Sequence, residues 1–581
     1  MKKLITLAAL APAAALPTSA AAARPEPFGH ACTPQNGTLF CPTANDAERV
    51  PSFDGVPIDV DVTLPPRGDG PFPAIVLMHG WGASKTSFQA ASPEGGGGGN
   101  YHYNNVYFAR RGYAVITASA RGFGRSCGAV DSRGVSGCAR GWVRLADQRY
   151  EARDTQHLLG LLVDQGIVRP RAIGVSGISY GAIQSMNLAR LRDRVRLPDG
   201  RFRPWRSPQG RALRVAAAYP RWGAFDLTYS LQPNGRYRDS RPFPARGAIR
   251  PGGVSKVTYN DILYSSGNAA GFYAPEGGPF RADITGWKAL ADRGEPVRAA
   301  AVAVGRELTT YHSAAGLSGP TAPMLVMNGW TDDLFPAPEA LRAYRTVERR
   351  RGTYVALQLA DLGHPRGSNK PAVDRTLNDQ GARFLDAFLK RRGNPPRNRS
   401  VTAYTQTCPA AAPAGGPLSA PSWDRLHPSE LEMGARRGQT ISSAAANPEL
   451  NPLTTSACVT FPATDTPGTA GISRRVGRPF TLLGLPTVRA SIRTKGRGGF
   501  IAARLWDVHE GRQTLVSRGV YRLRDDQRGR IAFQLFGNGW RFQRGHRAKL
   551  ELLGNDPGYL RTSNFDFSVR VSKLAAELPG R

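Results

Sequence analysis

The most restrictive feature of this chain is the run Arg171-Ala-Ile-Gly-Val175, which leads into Gly177-Ile-Ser-Tyr-Gly181 and then into a helical pattern. A short apolar run of this kind fits a strand buried on both faces of a mostly parallel sheet. A serine lifted on a tight strand-to-helix turn has a strained backbone, and only small neighbours leave room for it. The helix behind it offers N–H groups to a developing negative charge. With 66 glycines in the chain, an isolated pentapeptide of this form would be an ordinary Gly/Ser turn. Its strand–turn–helix setting makes Ser179 a candidate nucleophile.

The surrounding pattern supports that setting. Residues 56–64 alternate as a strand, residues 71–78 (Pro-Phe-Pro-Ala-Ile-Val-Leu-Met) are continuously apolar, and residues 113–117 form another short apolar run. Residues 147–165 read as a helix, with Leu158, Leu159, Leu162 and Val163 on one side and Gly166 as its stop. The glycine run 95–99 reads as a loop; no Gly-Lys-Ser/Thr follows it to make a phosphate cradle. Residues 190–318, rich in Arg, Pro and Gly with helical fragments near 259–266 and 287–291, break the rhythm and read as a cap inserted above the sheet. Alternation resumes with a strand at 323–328, a helix at 337–349, a strand at 353–359 and a helix at 372–390. Strands and helices in this order predict an α/β doubly wound sheet. After a linker at 391–399, short runs of period two near 487–493, 500–508, 513–522 and 530–535 predict an all-β sandwich. The expected layout is residues 51–189 and 319–392 for the catalytic domain, 190–318 for the cap and 400–581 for the sandwich.

A serine nucleophile needs a base, and the base needs an orienting acid. Asn328-Gly-Trp-Thr-Asp332-Asp333 ends the strand after the serine, so the acid is one of two adjacent aspartates. A spacing of three residues after the glycine favours Asp332; Asp333 would then be a solvated or helix-capping residue. Of nine histidines, His364 in Leu362-Gly-His-Pro-Arg366 follows the next strand, whereas His312 precedes the aspartate and His427, His509 and His546 belong to the β-rich region. The order Ser, Asp, His is that of α/β-hydrolases. His79-Gly80-Trp81-Gly82 closes a central strand, so the backbone N–H groups of Trp81 and Tyr180 are the candidate oxyanion donors, and His79 is expected to hold its own turn. This chemistry calls for no metal and no organic cofactor.

Residues 1–23 read as a secretory signal, with Lys2 and Lys3, a short apolar stretch and an alanine-rich cleavage site; residues 24–50 follow as a leader. Six cysteines fit an oxidising destination, and their grouping suggests Cys32 with Cys41, Cys127 with Cys138 and Cys408 with Cys458, each within one expected domain. No Cys-x-x-Cys occurs, which argues against a zinc site. The formal charge of +33 is spread along the whole chain, so weak attraction to anionic cell-wall polymers is expected rather than nucleic-acid binding or stable membrane insertion. The substrate is expected to be a small peptide or ester.

These residues together resemble the X-Pro dipeptidyl-peptidase (peptidase S15) and cocaine esterase-like family. The matching points are Asp54-Gly-Val56, Gly112-Tyr-Ala-Val115, Ala120-Arg-Gly-Phe-Gly-Arg-Ser126, Ile173-Gly-Val-Ser-Gly-Ile-Ser-Tyr180 and Gly329-Trp-Thr-Asp332. They continue with Leu485-Pro-Thr-Val488, Ala503-Arg-Leu-Trp-Asp-Val508, Ser517-Arg-Gly519 and Trp540-Arg-Phe-Gln-Arg-Gly-His-Arg547. The resemblance implies Ser179, Asp332 and His364 as the triad, a helical cap over the site and a jelly-roll-like last domain shaping the pocket. Some members place a tyrosine side chain at the first oxyanion position where this chain has Trp81. No acidic pair aligns with one that would hold a substrate's free amino terminus, so dipeptidyl-peptidase and acyl esterase activities both stay open.

Overall fold

Along Phe72–Met78 every residue is buried, yet neighbouring side chains enter different cores. Ala74, Val76 and Met78 join one apolar cluster, and Ile75 and Leu77 join another. Met324–Gly329 and Val355–Ala360 divide their side chains in the same way. Strands apolar at every position are stable only when both sheet faces are covered. Helices Glu151–Asp164, Tyr180–Leu191 and Ala337–Glu348 cover one face. Asn105–Arg110 and Pro371–Leu389 cover the other. Each large aliphatic side chain so buried contributes on the order of 2 kcal/mol.

The structure, a computed structural model, describes residue 1 and residues 25–96, 98–239, 251–445 and 448–581. The expected signal segment therefore lies almost wholly outside the described residues. Among them, no helix is long and apolar enough to cross a membrane. The central sheet has eleven strands, seven of them in one parallel run: Ala114–Ala118, Phe72–Met78, Val168–Ile178, Val215–Arg221, Met324–Gly329, Val355–Ala360 and Val401–Thr405. The leader supplies an antiparallel hairpin, Thr33–Gln35 with Thr38–Cys41, that reaches the sheet edge through Val60–Leu64.

Two boundaries differ from those expected. Val215–Arg221 lies inside the segment read as cap, yet it is a central strand between Val168–Ile178 and Met324–Gly329. The sandwich does not begin at 400, because Val401–Thr405 and Gly415–Ala420 extend the central sheet. The three longer helices of the segment read as cap are Val257–Ala270, Ile284–Arg293 and Ala299–Tyr311. From Ser429 onward, a seven-stranded and a five-stranded antiparallel sheet enclose their own apolar core. Cys32–Cys41, Cys127–Cys138 and Cys408–Cys458 are disulfide-bonded, as their grouping suggested. The third differs from expectation in place: it ties the loop between two central-sheet strands to the chain just before Thr460–Pro462 of the five-stranded sheet.

Candidate active site

Ser179 has φ 57° and ψ −115° at the end of Val168–Ile178, one residue before helix Tyr180–Leu191. Left-handed φ in a non-glycine residue is costly and persists only where the surroundings enforce it. Here the turn is pressed onto the neighbouring strand: a Cβ at Gly181 would lie 2.0 Å from the Met78 carbonyl oxygen. The elbow is thus fixed by a close approach that only glycine permits.

His364 Nε2 lies 2.9 Å from Ser179 Oγ, and His364 Nδ1 lies 2.7 Å from Asp332 Oδ2. The other oxygen, Asp332 Oδ1, accepts the backbone N–H groups of Leu334 at 3.0 Å and Phe335 at 2.9 Å. This fixes the carboxylate's rotation and leaves one oxygen for the imidazole. The histidine loop passes over it at Gly363, where φ is 118° and a Cβ would meet Asp332 Oδ2 at 2.5 Å. Phe335 packs edge-on to the imidazole at 5.3 Å. The structure thus brings together all three residues singled out from the sequence, drawn from the ends of three parallel strands.

Asp333 is neither solvated nor a helix cap. Its carboxylate is buried between Arg366 (Nε at 2.8 Å, Nη2 at 3.2 Å) and Arg518 (Nε at 3.5 Å). Burial acts to raise its pKa, but the guanidinium groups win and hold it below the usual carboxylate range. Its carbonyl oxygen accepts the Lys256 ammonium at 2.7 Å and the Tyr559 hydroxyl at 3.0 Å. Lys256, which also donates to the Leu334 carbonyl at 2.9 Å, is buried, and burial lowers its pKa to about 7. The acid loop is therefore gripped by the histidine loop through Arg366, by the chain entering the first cap helix through Lys256, and by the last domain through Arg518 and Tyr559.

Trp81 and Tyr180 flank the serine. A Cβ at Gly80 would lie 3.9 Å from the Ser179 Cβ, which places the backbone of the Gly80–Trp81 turn beside the nucleophile. The Trp81 indole N–H donates to the Leu263 carbonyl of a cap helix at 2.8 Å, and its ring meets Tyr180 edge-on at 5.1 Å. Tyr180 opens its helix, where the first N–H groups have no intrahelical acceptor. Its hydroxyl donates to Glu151 and accepts the Ala146 N–H at 3.0 Å. Burial pushes Glu151 up to about 7. His79 accepts the Ala120 N–H at Nε2, so its Nδ1–H donates to the Gly80 carbonyl; burial lowers its pKa to about 4.

Ser179 faces a cavity of about 130 Å³ lined by Trp81, Tyr180, Ile183, Leu263, Trp287 and Phe335, among others, with no Asp or Glu among the described lining residues. Elsewhere, Asp147, Glu307 and His312 bring ligand-capable atoms within 4.8 Å of one another. Arg149 donates to both carboxylates and so already supplies positive charge there.

Residues 54–195, which include the elbow, match the model of the family described as X-Pro dipeptidyl-peptidase (S15 family). That match, together with the geometry of Ser179, His364 and Asp332, identifies the chain as a serine hydrolase. Over nearly its whole length, the chain has the fold of three solved structures. A CocE/NonD family hydrolase from Staphylococcus aureus has a TM-score of 0.59 at 11% identity, covering 94% of each chain. An α-amino acid ester hydrolase has a TM-score of 0.60 at 13% identity, covering 98% of this chain and 100% of that one. An aminopeptidase from a marine sediment Thaumarchaeota archaeon has a TM-score of 0.59 at 14% identity, covering 94% and 98%. No curated protein matches the chain in sequence. Its three disulfides fit an extracellular destination.

Proposed function

We propose that this hydrolase is a secreted acyl esterase in which Ser179 attacks the ester carbonyl, His364 is the general base and Asp332 orients it. His364 Nε2 takes the Oγ proton as the new C–O bond forms, and Asp332 stabilises the imidazolium. Collapse of the tetrahedral intermediate expels the alcohol, which leaves with the proton from His364 and leaves an acyl-serine. Water, deprotonated by the same imidazole, then releases the acid and restores the hydroxyl. The N–H groups of Trp81 and Tyr180 serve in this proposal as the donors to the developing oxyanion, each worth about 3 kcal/mol in the transition state.

The observation that carries the ester reading is the mostly apolar cavity in front of Ser179, whose charged lining residue among those described, Lys288, is a cation. A dipeptide with a free amino terminus would bring an ammonium group into it, and the described lining offers no carboxylate. An unpaired charge in such surroundings costs several kcal/mol. The size of about 130 Å³ suits one ring or a short branched chain rather than a long acyl tail; a cavity of about 150 Å³ holds benzene. The dipeptidyl-peptidase reading rests on the family description of residues 54–195.

The test compares p-nitrophenyl butyrate, benzoate and palmitate with Gly-Pro-nitroanilide. Butyrate and benzoate should exceed palmitate in kcat/KM by at least about tenfold, and the nitroanilide should trail by about 100-fold or more. Ser179→Ala should lower ester hydrolysis by about 10⁴-fold or more. Faster cleavage of the nitroanilide than of any ester would restore the peptidase reading. Failure of the wild-type protein to take a fluorophosphonate label would point to a catalytically silent binding protein.

A further inference from the structure

In the seven-stranded sheet of the last domain, Arg493 of Thr487–Gly496 stands directly opposite Arg528 on one side and Arg570 on the other. All three are exposed, so three guanidinium groups form a row across three adjacent strands. Neighbouring strands are about 4.8 Å apart. Lys495 and Arg530, each two residues along its strand from this row and exposed on the same face, lie about 7 Å from it on opposite sides. Like charges directly opposite one another weaken a sheet. The same face shows the ordinary remedy: Arg489 is paired with Glu577, at 2.7 Å. Among the described residues, none of the five forms an ion pair, although Asp525 and Asp526 occupy the turn before Arg528–Gln534.

We infer that this ridge is a docking surface for a linear phosphodiester polymer of the cell envelope. A cationic cluster that lowers the sheet's own stability gains from a partner carrying anionic groups at a matching repeat of several ångströms, because each phosphate neutralised releases counterions. A second copy of this chain would bring the same charge and be repelled. Nucleic acid fits less well, since binding of single strands relies on aromatic side chains for base stacking. The aromatic residues of the three ridge strands, Phe533 and Phe567, are buried in the sandwich core. None of the five cations lines the cavity before Ser179.

The test measures binding of the full chain to poly(glycerol phosphate) of about 20 repeats over a range of salt concentrations, with oligothymidylate of equal charge as comparator. The variant Arg493→Gln/Arg528→Gln/Arg570→Gln is set against a control of equal charge change on another exposed segment, Arg203→Gln/Arg206→Gln/Arg214→Gln. The ridge variant should bind at least about tenfold more weakly near 0.1 M salt, with a salt slope shallower by about 2, and the control should stay close to wild type. Its melting temperature should equal or exceed that of wild type as cross-strand repulsion is relieved, with hydrolysis of p-nitrophenyl butyrate unchanged. Equal losses in ridge and control variants would assign the binding to diffuse charge and overturn the proposal. Tighter binding of the oligothymidylate would overturn the choice of partner.

Discussion

Asp332 and Asp333 are adjacent and both buried, yet they have different physical tasks. Asp332 turns one oxygen to His364 and is satisfied on the other by two backbone N–H groups. Asp333 neutralises two buried guanidinium groups. Asp332→Asn should therefore lower kcat by about 10³- to 10⁴-fold with a near-native melting temperature, because the imidazole loses its oriented acceptor. Asp333→Asn should cost roughly 3–5 kcal/mol of stability by leaving Arg366 and Arg518 unpaired, while the folded fraction keeps most of its kcat. Parallel melting curves and active-site-titrated rates check this, and the reverse pattern would exchange the two roles. The spacing from Gly329 pointed to the carboxylate that contacts His364, but Asp333's partners were not legible. Arg518 reaches it from a distant strand, and nothing local in the sequence marks that approach. Glu151 supplies a second residue-scale expectation. With its folded pKa near 7, above that of an unfolded glutamate, the native state holds a proton that the unfolded state releases. Stability should then fall as pH rises from about 4.5 to about 7, by up to about 3 kcal/mol, and level off above that. Glu151→Gln should flatten this slope in denaturant titrations at pH 5 and 8; identical slopes would show that Glu151 ionises normally.

At the scale of elements, the legible strands were those whose burial the sequence states outright. Phe72–Met78 and Met324–Gly329 are apolar at every position but the terminal Asn328 and Gly329, and both strands were expected nearly in register. Val215–Arg221 was missed for a physical reason. Its first four residues, in Val-Ala-Ala-Ala-Tyr-Pro-Arg, are small, and it ends in an arginine that reads as surface. That guanidinium is buried because Asp374 of helix Pro371–Leu389 pairs with it at 2.7 Å and the Gly99 carbonyl accepts from it at 2.9 Å. A pattern read from hydrophobicity alone cannot see such a pair. The same blindness shifted the start of the sandwich. Val401–Thr405 has the alternation of an antiparallel strand, but its backbone continues the parallel run beside Val355–Ala360. By contrast, the elbow was legible because its constraint is local: glycine at 181 is demanded by a carbonyl 2.0 Å from where a Cβ would stand.

Across the whole molecule, the last domain acts as a brace for the catalytic loops rather than as an appendage. Arg518 and Tyr559 reach the acid loop, and Phe500, Val520 and Phe536 share an apolar cluster with Tyr180 and the cap residues Tyr259 and Trp287. The Cys408–Cys458 bond adds a covalent tie between the central-sheet edge and this domain. Closing a loop of 50 residues removes unfolded-chain entropy worth about 4 kcal/mol in the loop-closure account. The variant Cys408→Ser/Cys458→Ser should lower the unfolding midpoint accordingly. If the brace holds the triad through the sandwich, thermal loss of hydrolase activity should also precede the loss of helical circular dichroism in this variant, because the acid loop loses Arg518 and Tyr559 before the central sheet melts. Coincident loss of activity and helicity at the wild-type temperature would instead mean that noncovalent packing alone keeps the domain seated.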